Sequence, residues 1–349
     1  MNTALLGPTR PAVPEVDGDL TRRELIVGGA ALGLLAACGR DQDEPSAAPP
    51  AADEPATRRF VDVTGNAVDV PTRPARIVAL HDFNAGAQLL SLGVPVVGLP
   101  TRDGSVDNAV SKYFDVSRIA TVGAVYSPNV EAVAALRPDL IVMEGFRGKV
   151  TLKDDLLGPL RAIAPVVGID TFRPVDEVMA DFAELLGGEA PAVVERQEAD
   201  LAQEVERLRA LLGARWREVR VAYLNFNEGG VMNTQAPSTV PALAILDRLG
   251  VSFVGPMVEA AKPENGGFLG QISGERLPEF DADLILIGFV GDEGALSRPL
   301  YTSLAAVRAG QVVTVPDELR GNHYPNYLGT ARFLQDELAG RTLRTDLVS

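Results

Sequence analysis

Val130-Glu-Ala-Val-Ala-Ala-Leu136, followed by Arg137-Pro138-Asp139 and then Leu140-Ile-Val-Met143, reads as a helix, a stop and a buried strand in immediate succession. Val130, Val133 and Leu136 supply the apolar side of the helix, and Pro138 closes it because it has no amide proton to continue the ladder. Leu140 to Met143 is uniformly apolar, which suits a parallel strand covered on both faces. The same unit repeats outward in both directions. Upstream, Arg76 to Leu80 is a buried strand, His81-Asp82-Phe83-Asn84 a loop, Ala85 to Leu92 a helix stopped by Gly93, and Val94 to Leu99 a second strand. Phe60, Val61 and Val63 around Thr64-Gly65-Asn66 make a hairpin-like start. Downstream, Leu156 to Ile163 and Pro165 to Ile169 repeat helix and strand. Strand and helix in alternation imply an α/β fold with a mostly parallel sheet.

From Asp176 to Leu212 the period becomes that of long helix, and Val194, Leu201, Val205, Leu208 and Leu212 form one apolar stripe against a charged face. About 20 such residues reach roughly 30 Å, the width of a small domain. The alternation then resumes: Val219 to Phe226 strand, Pro241 to Leu249 helix, Leu284 to Ile287 strand, Leu300 to Val307 helix, Val312 to Val315 strand and Tyr327 to Leu338 terminal helix. The expected architecture is two Rossmann-like α/β lobes, residues 58–173 and 214–349, joined by one long bridging α-helix within 174–213.

The chain opens differently. Arg22-Arg23 precedes an uncharged run, Leu25 to Ala37, that is too short to span a bilayer and has the length of a signal-peptide hydrophobic region. It ends in Leu35-Ala36-Ala37-Cys38, which resembles the lipobox of bacterial lipoproteins. Residues 1–37 are therefore expected to be a signal peptide, and Cys38, the single cysteine, the lipidated first residue of the mature protein. Thr21-Arg22-Arg23-Glu24-Leu25 also resembles the twin-arginine export signal. Residues 38–57 are rich in Ala, Pro, Asp and Glu with little that can be buried, so they read as a flexible tether.

The net charge is −15 over 349 residues. An acidic surface argues against nucleic acid, whose phosphates need a basic face. It equally disfavours anionic lipid, leaving membrane attachment to acyl chains on Cys38. Gly-x-Ser-x-Gly, phosphate-loop, His-Glu-x-x-His and Cys-x-x-Cys patterns are all absent from the sequence. A Ser with His81 and Asp82 is the one hydrolytic grouping conceivable, and adjacent His and Asp at a strand end do not orient one another; an exported α/β hydrolase is thus the distant alternative.

Along most of this length the chain resembles the substrate-binding proteins of ABC importers for iron-siderophores, haem and cobalamin. The residues that carry the resemblance are Pro74 to Leu80 with Leu89 to Gly98, Val122 to Val142 with its Pro-Asn-Val-Glu, Ile272-Ser-Gly-Glu-Arg-Leu277 with Asp281 to Leu286, and Leu300 to Val307. The resemblance implies a ligand cleft between the two lobes and modest closure, because the bridging helix resists hinge motion. It implies a binder rather than an enzyme, expected to act as a monomer. It also implies that Glu131 and Glu275, matching the family's lobe-top glutamates, dock against basic residues of a membrane permease. The protein is expected outside the cell membrane, held there by Cys38.

Ligands of open α/β sheets meet the loops at the carboxyl ends of strands. That rule selects His81, Asp82, Phe83 and Asn84, Arg102, Phe146 and Arg147 from the first lobe, with Tyr126 in the loop before Glu131. From the second lobe it selects Asn225, Phe226, Asn227, Phe289 and the Arg320-Gly-Asn-His323-Tyr324 segment. Aromatics and arginines suit a bulky iron chelate, the former by flat apolar contact and the latter as donors to its oxygens. The chain lacks the tight His and carboxylate spacing that captures a bare metal, so iron would arrive already chelated and no resident cofactor is expected. A ferric-siderophore is the first expectation. Haem, held axially by His81 with His323 or by Tyr324, and cobalamin are the alternatives.

Overall fold

The computed structural model describes residues 56–341 together with 344, 345 and 347. The arginine pair, the apolar run, Cys38 and the acidic tether as far as residue 55 lie outside the described residues.

The first element among the described residues is an antiparallel hairpin, Thr57–Val61 against Ala67–Pro71, so Thr57 is already paired where a tether was expected. The first lobe is built on five parallel strands in the spatial order Ala120–Ala124, Val96–Thr101, Ile77–Ala79, Leu140–Phe146, Val166–Asp170. Short antiparallel pieces extend the sheet, Ser127–Pro128 beside Ala120–Ala124 and Lys149–Val150 beside Leu140–Phe146. Ile77 aligns with both Val96 and Leu140, so the chain winds outward in both directions from this central strand. Alternate residues of the central strands serve different cores. Ile77, Ala79, Leu140 and Val142 pack into the core shared with the rest of the molecule, while Val78, Ile141 and Met143 face a separate core with Val133, Leu157 and Leu160. That is the period-2 consequence of a strand buried on both sides, and it explains why these strands read as unbroken apolar runs.

The second lobe repeats the arrangement in smaller form. Arg220–Phe226 lies parallel to Ser252–Phe253 on one side and to Leu284–Val290 on the other, and Val312–Thr314 follows. Met232–Gln235 and Phe268–Ile272 close the sheet in antiparallel fashion. The ladder between Arg220–Phe226 and Leu284–Val290 shifts register at Leu224 and Asn225, which re-aims the side chains at the carboxyl ends.

The long bridging helix is present as Ala190–Leu212, and a separate shorter helix, Val175–Leu186, precedes it in the same segment. Val175–Leu186 ends at Gly187 and Gly188, whose φ values of 63° and 58° are cheap only for glycine, and Ala190–Leu212 restarts with Pro191 in its first turn. The second is 23 residues long, about 34 Å at helical rise, and touches both lobes. Gln197 donates to the Ser91 carbonyl at 2.8 Å in the first lobe, and Arg209 donates to the Arg248 carbonyl in the second. Its stripe of Leu201, Val205 and Leu208 is buried in the same core as Tyr327, Ala331 and Leu334 of the Tyr324–Leu338 helix.

Two further expectations are corrected. Leu300 to Val307 is not continuous: Pro299–Thr302 and Ala305–Arg308 are separate turns, because the Asp281 carboxylate accepts the Ala305 amide at 2.8 Å and caps a new start there. The terminal helix begins at Tyr324, three residues earlier than its apolar period announces, with Pro325 in the first turn. Among the described residues no helix is long and apolar enough to cross a membrane.

Candidate functional site

The carboxyl ends of both sheets face one cleft of about 380 Å³. In each lobe the cleft lies at the strand from which the chain winds in opposite directions, Ile77–Ala79 with Leu140–Phe146 in the first and Arg220–Phe226 with Leu284–Val290 in the second, which is where open α/β sheets leave a crevice.

The first-lobe wall begins at His81. Its extended backbone (φ −139°) ends the strand, and the chain enters a helix through one wide turn, Asp82–Gly86, before narrowing to the α-helix Ala87–Ser91. His81 Nδ1 accepts the Asn84 amide at 3.2 Å, which leaves Nε2 to face Tyr126 Oη at 3.3 Å and Glu144 Oε2 at 3.4 Å. Tyr126 donates its hydroxyl to Glu144 Oε1 at 3.1 Å, and the Asn84 amide donates to Glu144 Oε2. Burial and the neighbouring Glu144 carboxylate push the Tyr126 hydroxyl well above the usual phenol range, so it remains a donor. Tyr126 holds this place with a left-handed backbone, φ 64°.

Phe83 stands beside this group with its ring edge-on to His81, centroids 4.8 Å apart. The Arg102 guanidinium carbon lies 5.7 Å from the Phe83 centroid and that of Arg320, from the second lobe, 5.4 Å. One phenylalanine thus carries a cation from each lobe. Behind them, Asp107 lies 2.6 Å from Arg320 and 3.7 Å from Arg102. Asp82 sits beneath the surface: burial raises its pKa, but the adjacent His81 ring and hydrogen bonds from the Asp107 and Phe83 amides outweigh it, and the carboxyl is held below its ordinary value.

The second-lobe wall is uncharged apart from Arg320 and Asp317. Tyr223, Asn225, Gln235, Thr239 and Phe289 line it, with Asn225 Nδ2 donating to Asn233 Oδ1 at 2.7 Å. Gly288 is required here, since a Cβ at that position would overlap the Tyr223 hydroxyl.

Of the residues expected in the cleft, His81, Phe83, Asn84, Arg102, Tyr126, Asn225, Phe289 and Arg320 line it. The others are placed elsewhere. Asp82 is fully buried behind the wall. Phe146 packs edge-on against Phe172, and it is Phe172 that reaches the cleft. Arg147 stacks on Phe146 and donates to the Glu264 carbonyl at 2.7 Å, fastening one lobe to the other. Phe226 is core, packed against Tyr301 at 5.6 Å, because it faces the opposite side of the strand from Asn225. Asn227 spends its amide on the Val231 carbonyl as the strand turns back. His323 and Tyr324 are wholly buried at the start of the terminal helix; His323 is held by Tyr113 and Phe114, so neither residue can ligate a haem in the cleft.

Asn322, within the selected Arg320 to Tyr324 segment, also lines the cleft, whereas sequence reasoning missed Glu144, Thr171, Phe172, Tyr223 and Asp317. Glu144 had a signal: it is the one charge in the run Leu140-Ile-Val-Met-Glu-Gly-Phe146, at the carboxyl end of a strand. Thr171 and Phe172 follow the fifth strand, to which the strand-end rule applies equally. Glu131 and Glu275 are exposed, each in the first turn of a helical segment, and neither pairs with a cation among the described residues.

The chain is 28% identical over 293 residues, 75% of its length and 81% of the relative's, to the probable siderophore-binding lipoprotein YfiY of Bacillus subtilis. It is 26% identical over 262 residues, 70% and 76% of the respective lengths, to the ferric-anguibactin-binding protein FatB of Vibrio anguillarum. Among solved structures it is similar to DesE, a ferric-siderophore receptor protein from Streptomyces coelicolor, with a TM-score of 0.62, 25% identity, and coverage of 82% of this chain and 99% of that one. Residues 77–319 match the periplasmic binding protein family, from the strand that opens the His81 loop to the turn before Arg320, and the chain belongs to that family.

Proposed function

We propose that this protein is the extracytoplasmic solute-binding component of an ABC importer, that it captures a ferric siderophore between its lobes, and that it presents the complex to a membrane permease. The observation that carries this reading is the single Phe83 ring with Arg102 and Arg320 stacked on it from opposite lobes. That arrangement offers a flat apolar face and forked donors at the point where both sheets open, which is what a chelate with an apolar backbone and iron-bound oxygens needs. The names of the two curated relatives support the same ligand class. Iron is cargo in this reading and belongs to the ligand.

The sequence adds the setting. Lipid on Cys38 and the residues up to the first hairpin would keep the binder near its permease and raise its effective concentration there. Glu131 and Glu275, one on each lobe and free of ion pairs among the described residues, are suited to register the complex against basic permease side chains. Calorimetric titration of the purified protein against ferric siderophores, haem and cobalamin tests the ligand. Saturable binding of one or more ferric siderophores is expected, and binding confined to haem or cobalamin would overturn the assignment.

A further inference from the structure

The two cleft arginines are not free cations. Arg320 places one terminal nitrogen 2.6 Å from Asp107 Oδ2 and the other 2.5 Å from Asp317 Oδ1. Arg102 approaches the same Asp107 oxygen at 3.7 Å and Asp82 at 3.9 Å. Asp107 is buried and cannot swing away, since its other oxygen accepts the Ala109 amide at 2.8 Å. A fourth carboxylate, Glu144, takes its hydrogen bonds from Tyr126 and Asn84 and, among the described residues, forms no ion pair with an arginine or lysine. Four carboxylates therefore stand against two guanidiniums at and behind the cleft wall, and a proton on His81 would leave the balance negative. The opposite wall, of Tyr223, Asn225, Gln235 and Phe289, adds no charge.

Resting on the siderophore reading above, we propose that the cleft selects ferric chelates without net negative charge. Three hydroxamate anions around iron(III) give a neutral complex, and an appended ammonium makes it a cation. Three catecholates leave three negative charges. To bind such an anion, Arg102 and Arg320 must give up Asp107, Asp82 and the half-exposed Asp317, leaving the buried Asp107 and Asp82 uncompensated in a low-dielectric wall. A neutral chelate can accept the remaining N–H groups while the ion pairs stay intact, and a cationic one is drawn by the surplus carboxylates.

The test is calorimetric titration of the purified protein with a ferric trihydroxamate and a ferric tris-catecholate under identical low-salt conditions. The trihydroxamate is expected to bind tighter by about 100-fold or more. Asp107→Asn keeps the acceptor for the Ala109 amide, and Asp317→Asn alters a half-exposed side chain; each is expected to narrow that ratio by about 10-fold. Equal or tighter binding of the tris-catecholate, or an unchanged ratio in both variants, overturns the charge assignment alone. Failure of both chelates while haem or cobalamin binds overturns the siderophore reading and this proposal with it.

Discussion

His81 and His323 are the only two histidines in the chain, one at the end of a first-lobe strand and one at the start of the terminal helix, and both are nearly inaccessible to solvent. Their surroundings are opposite. His81 has the Asp82 carboxylate at 3.3 Å, the Glu144 carboxylate at 3.4 Å and the Tyr126 hydroxyl at 3.3 Å, and its ring borders the cleft. His323 lies against the Tyr113 and Phe114 rings and, among the described residues, reaches only the Ala109 carbonyl at 3.4 Å and has no partner for Nδ1. Burial alone therefore does not make a histidine a cleft residue; the acceptors around it do. His81 ends a strand at the crevice, whereas His323 precedes a helix whose first turn is core.

The sharpest way to break this contrast is through protons. Desolvation pushes His323 down to about 4 from an ordinary 6.5, the Ala109 carbonyl offsetting only part of it. Between those values the unfolded chain binds a proton that the folded chain refuses, so stability rises with pH across this window and falls as the solution is acidified from 6.5 towards 4. The full loss is about 3 kcal/mol. Gln at position 323 keeps an N–H for the Ala109 carbonyl and does not titrate. Denaturant unfolding of wild type and His323→Gln at pH 7 and pH 4 is expected to show this difference, the variant losing about 3 kcal/mol less on acidification. Asp82 is common to both proteins and cancels. Identical acid sensitivity in the two would remove His323 from the account.

Next in size is the cleft side. Phe83→Ala removes the ring that supports both guanidiniums and the edge contact to His81. Two partly desolvated cation–π contacts and the lost apolar face together are worth about 2 kcal/mol, so affinity for a ferric chelate is expected to fall about 30-fold. Phe83 is only half-buried, and the unfolding free energy should change much less than the binding. A variant that unfolds easily but binds as before would show that Phe83 is a packing residue.

The layers of the fold were legible because strands buried on both faces must be apolar throughout, and Leu140 to Met143 or Leu284 to Ile287 have no other reading. The break at Gly187-Gly188 was written in the sequence too, but apolar residues at helical spacing stand on both sides of it, Val178 and Phe182 before and Leu201 and Val205 after, and mask it. The strand-end rule located the cleft without deciding which side chain at a strand end points outward. That choice rests on the strand's alternation of faces: Asn225 lines the cleft and the next residue, Phe226, points into the core. Glu144 was hidden by the complementary assumption that a buried strand carries no charge; here two donors, Tyr126 and Asn84, support the carboxylate. Arg147 shows a third limit, since its partner Glu264 lies in the other lobe and no local pattern could announce it.

The smallest effect tests whether the group around His81 acts as a network. Tyr126→Phe keeps the ring and a backbone at φ 64° but deletes the hydroxyl that donates to Glu144 Oε1 at 3.1 Å. Glu144 then keeps the Asn84 amide and the His81 edge, so the cost is that of one hydrogen bond to a charged acceptor that remains partly satisfied, about 1 kcal/mol of unfolding free energy. The same deletion in a Glu144→Gln background should cost less than half as much, because the neutral amide oxygen is the weaker acceptor. Additivity of the two substitutions would mean that Tyr126 and Glu144 are merely near each other. In that case His81 would differ from His323 by its place at the cleft and by nothing the carboxylate supplies.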